Sequence, residues 1–374
     1  MLFRYHCKQE RFYYIISRTR NVIILNRELK MIVEKFPIVR DPEWYEAWPD
    51  LTQAADGRLI CVFSECLHHD DRSYTRIMMT SSFDGGRSWS PRTPLTESTA
   101  GKDYFYNCAR ISRLRSGMLA ITVDQIPLAT WETDLDKAEV LIFYSHDNGE
   151  AWSKPSATPL HGIVPERLTE LPSGRLLLAA HRTYGDKLTV FLRHSDDGGM
   201  HWSDERILAA DPELNLCEAS LLPLGGGEVV AFLRENSLRG LECFKCISRD
   251  NGETWSRPEA FPLSCCHRPT AGFLRDGRIF FTYRFCPGTD TQSFFGALAD
   301  RESVLAEHRE DVKIRVIPID YDRAKRQDTG YSGWAELEDG KVCIVNYIVD
   351  DMLDHGQIRG YFLHLNKLIL HGNA

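Results

Sequence analysis

"SFDGGRSWS" occupies residues 82–90, and nearly the same phrase returns as "SHDNGEAWS" (145–153), "SDDGGMHWS" (195–203) and "SRDNGETWS" (248–256). In each, an aspartate can accept backbone N–H groups inside a tight turn, a glycine relaxes φ, and a tryptophan offers an apolar body to a neighbouring layer. One chain spelling one turn four times announces a repeat array. The question is what lies between the turns.

A second series of turns is interleaved with the first. "ADGRLI", "RSGMLA", "PSGRLL", "GGGEVV", "RDGRIF" and "EDGKVC" place Gly57, Gly117, Gly174, Gly227, Gly277 and Gly340 at spacings of 60, 57, 53, 50 and 63 residues, each flanked by alternating apolar residues. Such periods with hairpin turns indicate antiparallel units repeated around an axis. Each repeat reads strand, glycine turn, strand, longer loop, strand, aspartate turn, strand. That is a four-stranded blade, and six glycine turns predict an all-β, six-bladed β-propeller. Blade five keeps only a decayed aspartate turn near Asp300, and blade six has none and runs out one strand short. "FPIVR" (36–40) is the expected outer strand that closes the ring, leaving no open sheet edge. The expected organisation is an N-terminal extension over residues 1–35, to which no function is assigned, and one propeller over 36–374.

Strand direction then sorts the residues by face. The aspartate turns fall on the face opposite the entrances of the first strands, so Asp84, Asp147, Asp197 and Asp250 are read as structural. The other face collects Glu46, Trp48 and Glu65; Asn107, Arg110 and Asp124; Glu166, Arg167, His181 and Arg182; Glu218 and Arg234; His267, Arg268 and Arg284; and Tyr331, Trp334 and Tyr347. The loop "HHDD" (68–71) leaves blade one on the same face. Charges gathered in a funnel are costly unless paired or used, so this face is the expected site.

Composition bounds the function. The chain has 374 residues, 43% hydrophobic and 26% charged, with a formal net charge of -8, which argues against phosphate-neutralising nucleic-acid binding. No run approaches the roughly 18 apolar residues of a membrane span. Eleven cysteines without disulfide-like spacing, and no secretory leader, lead to an expectation of reduced thiols in the cytoplasm. Cys243 and Cys246 point to opposite faces of a strand, which speaks against a zinc site with Cys265, Cys266 and His267. No metal or cofactor is expected.

The four S-x-D-x-G-x-x-W turns on six blades resemble the Asp-box repeats of the sialidase (neuraminidase) superfamily, over about residues 40–366. The resemblance implies a retaining exo-glycoside hydrolase acting on an acidic sugar. In "GYSGWAELEDGKV" it implies Tyr331 as nucleophile; in "CEASLLPLGGGEVVAFLRE" it implies Glu218 as the residue assisting that tyrosine and Arg234 as a carboxylate-binding arginine. The family's acid/base aspartate corresponds to Asp70 or Asp71. Two family arginines lack counterparts: Ala47 stands where the first is expected, and "TQSFFGALAD" (291–300) where the third is. Arg268, Arg284, Arg182 and Arg110 are the expected replacements, with Trp48 and His69 as further substrate contacts. A tyrosine with its usual pKa near 10 needs an adjacent carboxylate as base. Two rival readings are a carbohydrate-binding propeller without turnover and a lyase on uronic-acid chains using Tyr331 or one of His69, His181 and His267 as base.

Overall fold

In the computed structural model, which describes residues 33–131, 133–288, 291–352, 354–365, 368 and 370, six antiparallel sheets form the six expected blades. From the axis outward, blade one is Tyr45–Gln53, Leu59–His68, Asp71–Ser82 and Thr93–Pro94. Blade four is Leu216–Gly225, Glu228–Glu235, Glu242–Ser248 and Glu259–Ser264. Blade five is Cys266–Phe273, Ile279–Phe285, Ser293–Ala299 and Ile314–Tyr321. In blade two the innermost strand is split into Tyr104–Tyr106 and Arg110–Arg113, both paired with Leu119–Pro127.

Blade six is closed as expected. Its three C-terminal strands, Thr329–Glu336, Val342–Ile348 and Gln357–Leu363, are completed by Val33–Val39, whose Lys35 and Phe36 lie opposite Tyr361 and Gly360. The closing strand thus begins slightly before the boundary expected at residue 36, and most of the N-terminal extension lies outside the described residues. Phe36 packs on Phe362 with ring centroids 4.8 Å apart, and a Cβ on Gly360 would lie 2.2 Å from the Phe36 ring. Glycine there is the condition for the closing strand to seat.

The aspartate turns hold the lower face together. Asp84 accepts from the Ser82 hydroxyl at 2.9 Å and from the N–H groups of Arg87 and Ser88 at 3.0 and 2.9 Å, while Gly86 N–H donates to Ser82 Oγ at 2.8 Å. Ser145–Asp147, Ser195–Asp197 and Ser248–Asp250 repeat the pattern. Each tryptophan turns inward: Trp89 packs with Leu59 and Phe362, Trp152 with Ile60 and Leu119, Trp202 with Leu176, and Trp255 with Leu177. Every such turn therefore caps the seam between its own blade and the preceding one. Near the decayed fifth turn, Asp300 instead caps the short helix Arg301–Leu305, accepting from Ser303 N–H. Among the described residues no helix is long and apolar enough to cross a membrane.

Candidate active site

The innermost strands do not run straight past the axis. In blades one, four, five and six the pairing slips by a residue between Ala47 and Asp50, Cys217 and Ser220, His267 and Thr270, and Gly330 and Ser332. At each slip one residue other than glycine takes a left-handed backbone: Trp48 (φ 52°), Glu218 (φ 45°), Arg268 (φ 49°) and Tyr331 (φ 57°), with Val164 (φ 48°) at the matching place in blade three. A bulge re-aims a side chain out of the strand's alternation, and a positive φ at a bulky residue costs about 1–3 kcal/mol. Three of these five kinks carry Tyr331, Glu218 and Arg268, which chain parity alone had put on this face.

The kinks bring blades four and six into contact. The Tyr331 hydroxyl donates to Glu218 Oε1. Arg234, on the neighbouring strand of blade four, places Nη1 2.9 and 3.0 Å from the two oxygens of Glu218. Burial works against the charged form of Glu218, but Arg234, Arg268 and His181 outweigh it and bring its carboxyl down to about 2, so it is ionised at neutral pH. Burial and the Glu218 charge push the Tyr331 hydroxyl well above its ordinary pKa, so the pair is a neutral phenol donating to a carboxylate. His181 is held down to about 4 by burial and takes the Glu218 N–H on Nδ1 at 3.4 Å.

Blade five, which has no arginine in residues 291–300 where the resemblance leads one to expect it, supplies two from its inner strands. The guanidinium carbons of Arg268 and Arg284 stand 5.7 and 5.3 Å from the centre of the Tyr331 ring. Gly330 makes the second approach possible, since with φ 105° a Cβ there would sit 2.6 Å from Arg284 Cβ. Arg268 is fully buried, donates to Ala219 O at 3.2 Å and faces Glu166 at 3.5 Å. Its Nε and Nη2, and the Nε atoms of Arg234 and Arg284, are buried without a hydrogen-bond partner among the described residues. Unmatched buried N–H groups on three cations around one hydroxyl are expensive to maintain without a purpose.

Beside this cluster opens a cleft of about 250 Å³, lined from blades one, five and six by Tyr45, His68, His69, Asp70, Arg284, Gln292, Arg326, Gln327, Asp328, Val349 and Asp354. Arg284 is shared, since it also flanks Tyr331. Asp328 forms the inner wall: it accepts from Tyr45 Oη, from Tyr347 Oη at 2.6 Å and from His69 Nδ1 at 2.5 Å. Burial alone would raise its pKa, but the bond from His69, the His69 and Arg284 charges and the Tyr347 bond hold it far below the usual carboxylate range.

Other expected site residues stand elsewhere. Arg182 reaches sideways to Glu205 at 2.6 Å and to Asp136, in the short helical turn Leu135–Lys137, at 2.5 Å, with its guanidinium 3.6 Å over Phe191, and braces blade three against blade two. Arg110 is buried across the axis, donating to Pro49 O, Thr270 Oγ1 and Ser332 O and facing Asp50, so it ties four blades rather than meeting the cleft. Trp48 is only 3% exposed, lying between Arg72 at 3.9 Å and the rings of His69 at 5.3 Å and Tyr347 at 5.9 Å; it is a wall, not a stacking platform. Asp71 binds its own loop at Ser73. Asp70 lines the cleft but is paired with Arg326 at 2.5 Å. Both carboxyls are held below their ordinary value, Asp70 chiefly by the Arg326 hydrogen bond and Asp71 by Ser73, so neither has the environment of a proton donor.

Two contributors were missed. Arg72 follows "HHDD" directly, and its buried guanidinium stacks on Trp48 and donates to Asn107 Oδ1 at 3.2 Å and His69 O at 2.9 Å. Asp328 lies three residues before Tyr331 in "QDTGY", and its position ahead of the strand was the available signal.

Comparison with known proteins places this geometry. The model of the BNR repeat-like domain matches residues 115–344. A protein of unknown function from Dyadobacter fermentans is 20% identical over 90% of this chain and 100% of that one, with a TM-score of 0.73. The Hadza microbial sialidase Hz136 is 15% identical over 94% of this chain and 73% of that one, TM-score 0.67, and the NanB sialidase of Streptococcus pneumoniae 15% identical over 93% and 72%, TM-score 0.64. A search of curated proteins finds no match. At these identities the solved structures share the fold, and the repeat pattern, the six blades and the matched domain together make the chain a member of the BNR repeat-like domain family, built on the sialidase-type propeller.

Proposed function

We propose that this protein is a retaining glycoside hydrolase that releases an acidic sugar, with Tyr331 as nucleophile and Glu218 as its base. The observation that carries the reading is the Tyr331 hydroxyl donating to an ionised Glu218 while Arg234, Arg268 and Arg284 surround the pair with unmatched N–H groups. A neutral phenol suits an anionic substrate, because an attacking carboxylate would meet like charge, and sialidases are the glycosidases that use one. The sugar carboxylate fits the guanidinium cluster, where charge-assisted bonds replace the missing partners. A carboxylate drawn to Arg234 shares the cation that now holds Glu218. That loosens the clamp on Glu218 and makes it a better acceptor for the phenolic proton as Tyr331 Oη bonds to the anomeric carbon.

The sialidase names of the structural neighbours make sialic acid the first sugar to test, alongside hexuronic acids. The test is a panel of acidic aryl glycosides with product analysis, followed by a fluorinated acidic glycosyl fluoride that stalls the covalent intermediate. The expected result is free reducing sugar and a peptide containing Tyr331 that gains the mass of the glycosyl group. An unsaturated chromophore would mark a lyase, and binding without product a lectin-like role; either would refute the hydrolase. Tyr331→Phe should abolish turnover and labelling while substrate still binds.

A further inference from the structure

A glycosidase of this kind needs a proton donor for the leaving oxygen, and of the two aspartates beside the cleft Asp70 is tied to Arg326 and Asp71 to its own loop at Ser73. The cleft offers another group. His69 is half-exposed, its ring lines the cleft, and Nδ1 is engaged with Asp328 at 2.5 Å, leaving Nε2 with no hydrogen bond to protein among the described residues. Asp328 is itself fixed by Tyr45 and Tyr347, and Tyr347 is held by Arg284 Nη2 at 3.0 Å. The backbone of His69 is pinned as well, its carbonyl accepting from Arg72 Nε at 2.9 Å. A carboxylate that occupies Nδ1 sets the tautomer and ring orientation, so that Nε2 carries the exchangeable proton. The ring is linked to the nucleophile by contact: His69 packs on Trp48, Trp48 on Tyr347, and Tyr347 on Tyr331 at 6.3 Å between ring centres. Arg284 stands in both the cleft and the wall of Tyr331.

We propose that His69 Nε2 is the general acid and base of the reaction, with Asp328 as its positioning residue. The assignment rests on the glycosidase reading above. In the first step the imidazolium gives its Nε2 proton to the glycosidic oxygen as the bond from that oxygen to the anomeric carbon breaks. Tyr331 Oη bonds to the same carbon and its proton passes to Glu218. In the second step neutral Nε2 takes a proton from water, the water oxygen bonds to the anomeric carbon, and Tyr331 leaves, recovering its proton from Glu218. The groups facing His69 are Asp328, Asp70 and Arg326 across the cleft, His68 beside it and Tyr45 behind it.

Leaving-group dependence separates this role from a structural one. A substrate with a sugar or alkyl leaving group needs the proton, whereas a dinitrophenyl glycoside departs without it. His69→Ala should lower turnover of the first class by roughly 10²–10⁴-fold, the range of general acid catalysis, and formation of the glycosyl-enzyme from the dinitrophenyl substrate by less than about tenfold. Azide, which needs no base, should restore the second step of His69→Ala and yield a glycosyl azide. Asp328→Asn should show the same leaving-group pattern to a smaller degree. Equal losses on both substrate classes, with no azide product, would overturn the assignment while leaving the hydrolase intact. No release from either class by the unaltered protein would instead overturn the glycosidase reading, and the assignment with it.

Discussion

Glu218→Gln keeps the shape of the side chain and deletes the charge that faces two buried cations, Arg234 and Arg268. At neutral pH the amide leaves Arg234 and Arg268 buried opposite a neutral group, and breaking a buried pair in this way costs about 3–5 kcal/mol. The pH dependence is the sharper measurement. Glu218 titrates at about 2 in the folded chain against an ordinary 4.5, so its ionisation stabilises the folded state at pH 7 by about 3 kcal/mol. Because the folded pKa is depressed, that contribution is complete above the ordinary value and is lost as pH falls through the folded one; at pH 3 about 1 kcal/mol is left. The stability gap between the unaltered protein and Glu218→Gln should therefore narrow by about 2 kcal/mol between pH 7 and pH 3. Asp328, also held low, is present in both proteins and cancels in the difference; His181, which the Glu218 charge holds up, does not, so both proteins carry His181→Asn in this comparison. Urea unfolding followed by tryptophan fluorescence at the two pH values measures the gap. A gap of the same size at both would mean that Glu218 is not a depressed, ionised carboxylate, and the account of Tyr331 as a phenol poised on its base would fail.

Gly360→Ala should destabilise the ring by roughly 1–3 kcal/mol, the usual cost of overpacking, because the new methyl meets the Phe36 ring; hydrogen exchange should rise first in Val33–Val39, and unchanged protection there would contradict the closure. Asp250→Ala removes the acceptor for Ser248 Oγ, Thr254 N–H and Thr254 Oγ1 and should lower the melting temperature while leaving kcat and KM unchanged, the opposite of a catalytic role. Lys245 is buried with Nζ 3.1 Å from Val304 O and 2.5 Å from Ala306 O, so Lys245→Met should release the C-terminal end of the helix Arg301–Leu305, seen as protease cleavage near that helix with the upper face unaffected.

The propeller was legible because its marks are local. A glycine turn or an aspartate turn is fixed by a few consecutive residues, and counting them yields blades, faces and the need for a closing strand. Tyr331, Glu218 and Arg234 were legible because a motif attached each to a known place on a blade. What failed was side-chain direction. Arg110 and Arg182 stand at strand positions on the expected face, yet a guanidinium reaches several ångströms from its Cα, and Asp50 and Glu205 decided where each one went. Asp328 was hard to read for the complementary reason: only its position ahead of a strand marked it, and its partners Tyr45 and His69 lie more than 250 residues away in the chain, with Tyr347 on the next strand. Parity also missed the kinks at Trp48, Glu218, Arg268 and Tyr331, since a bulge breaks the alternation on which parity rests.

Those kinks separate what the protein can change from what it must keep. In blades one, four, five and six the hydrogen-bond ladder runs on either side of a single left-handed residue, so the side chain at that point is presented to the axis without being woven into the sheet. Valine occupies the position in blade three, tryptophan in blade one, and an acid, a base and a phenol in the next three. Five blades thus hold one exchangeable socket each at the matching point of the chain. A descendant of this chain can alter its chemistry one socket at a time, with the seams, the turns and the closing strand left untouched.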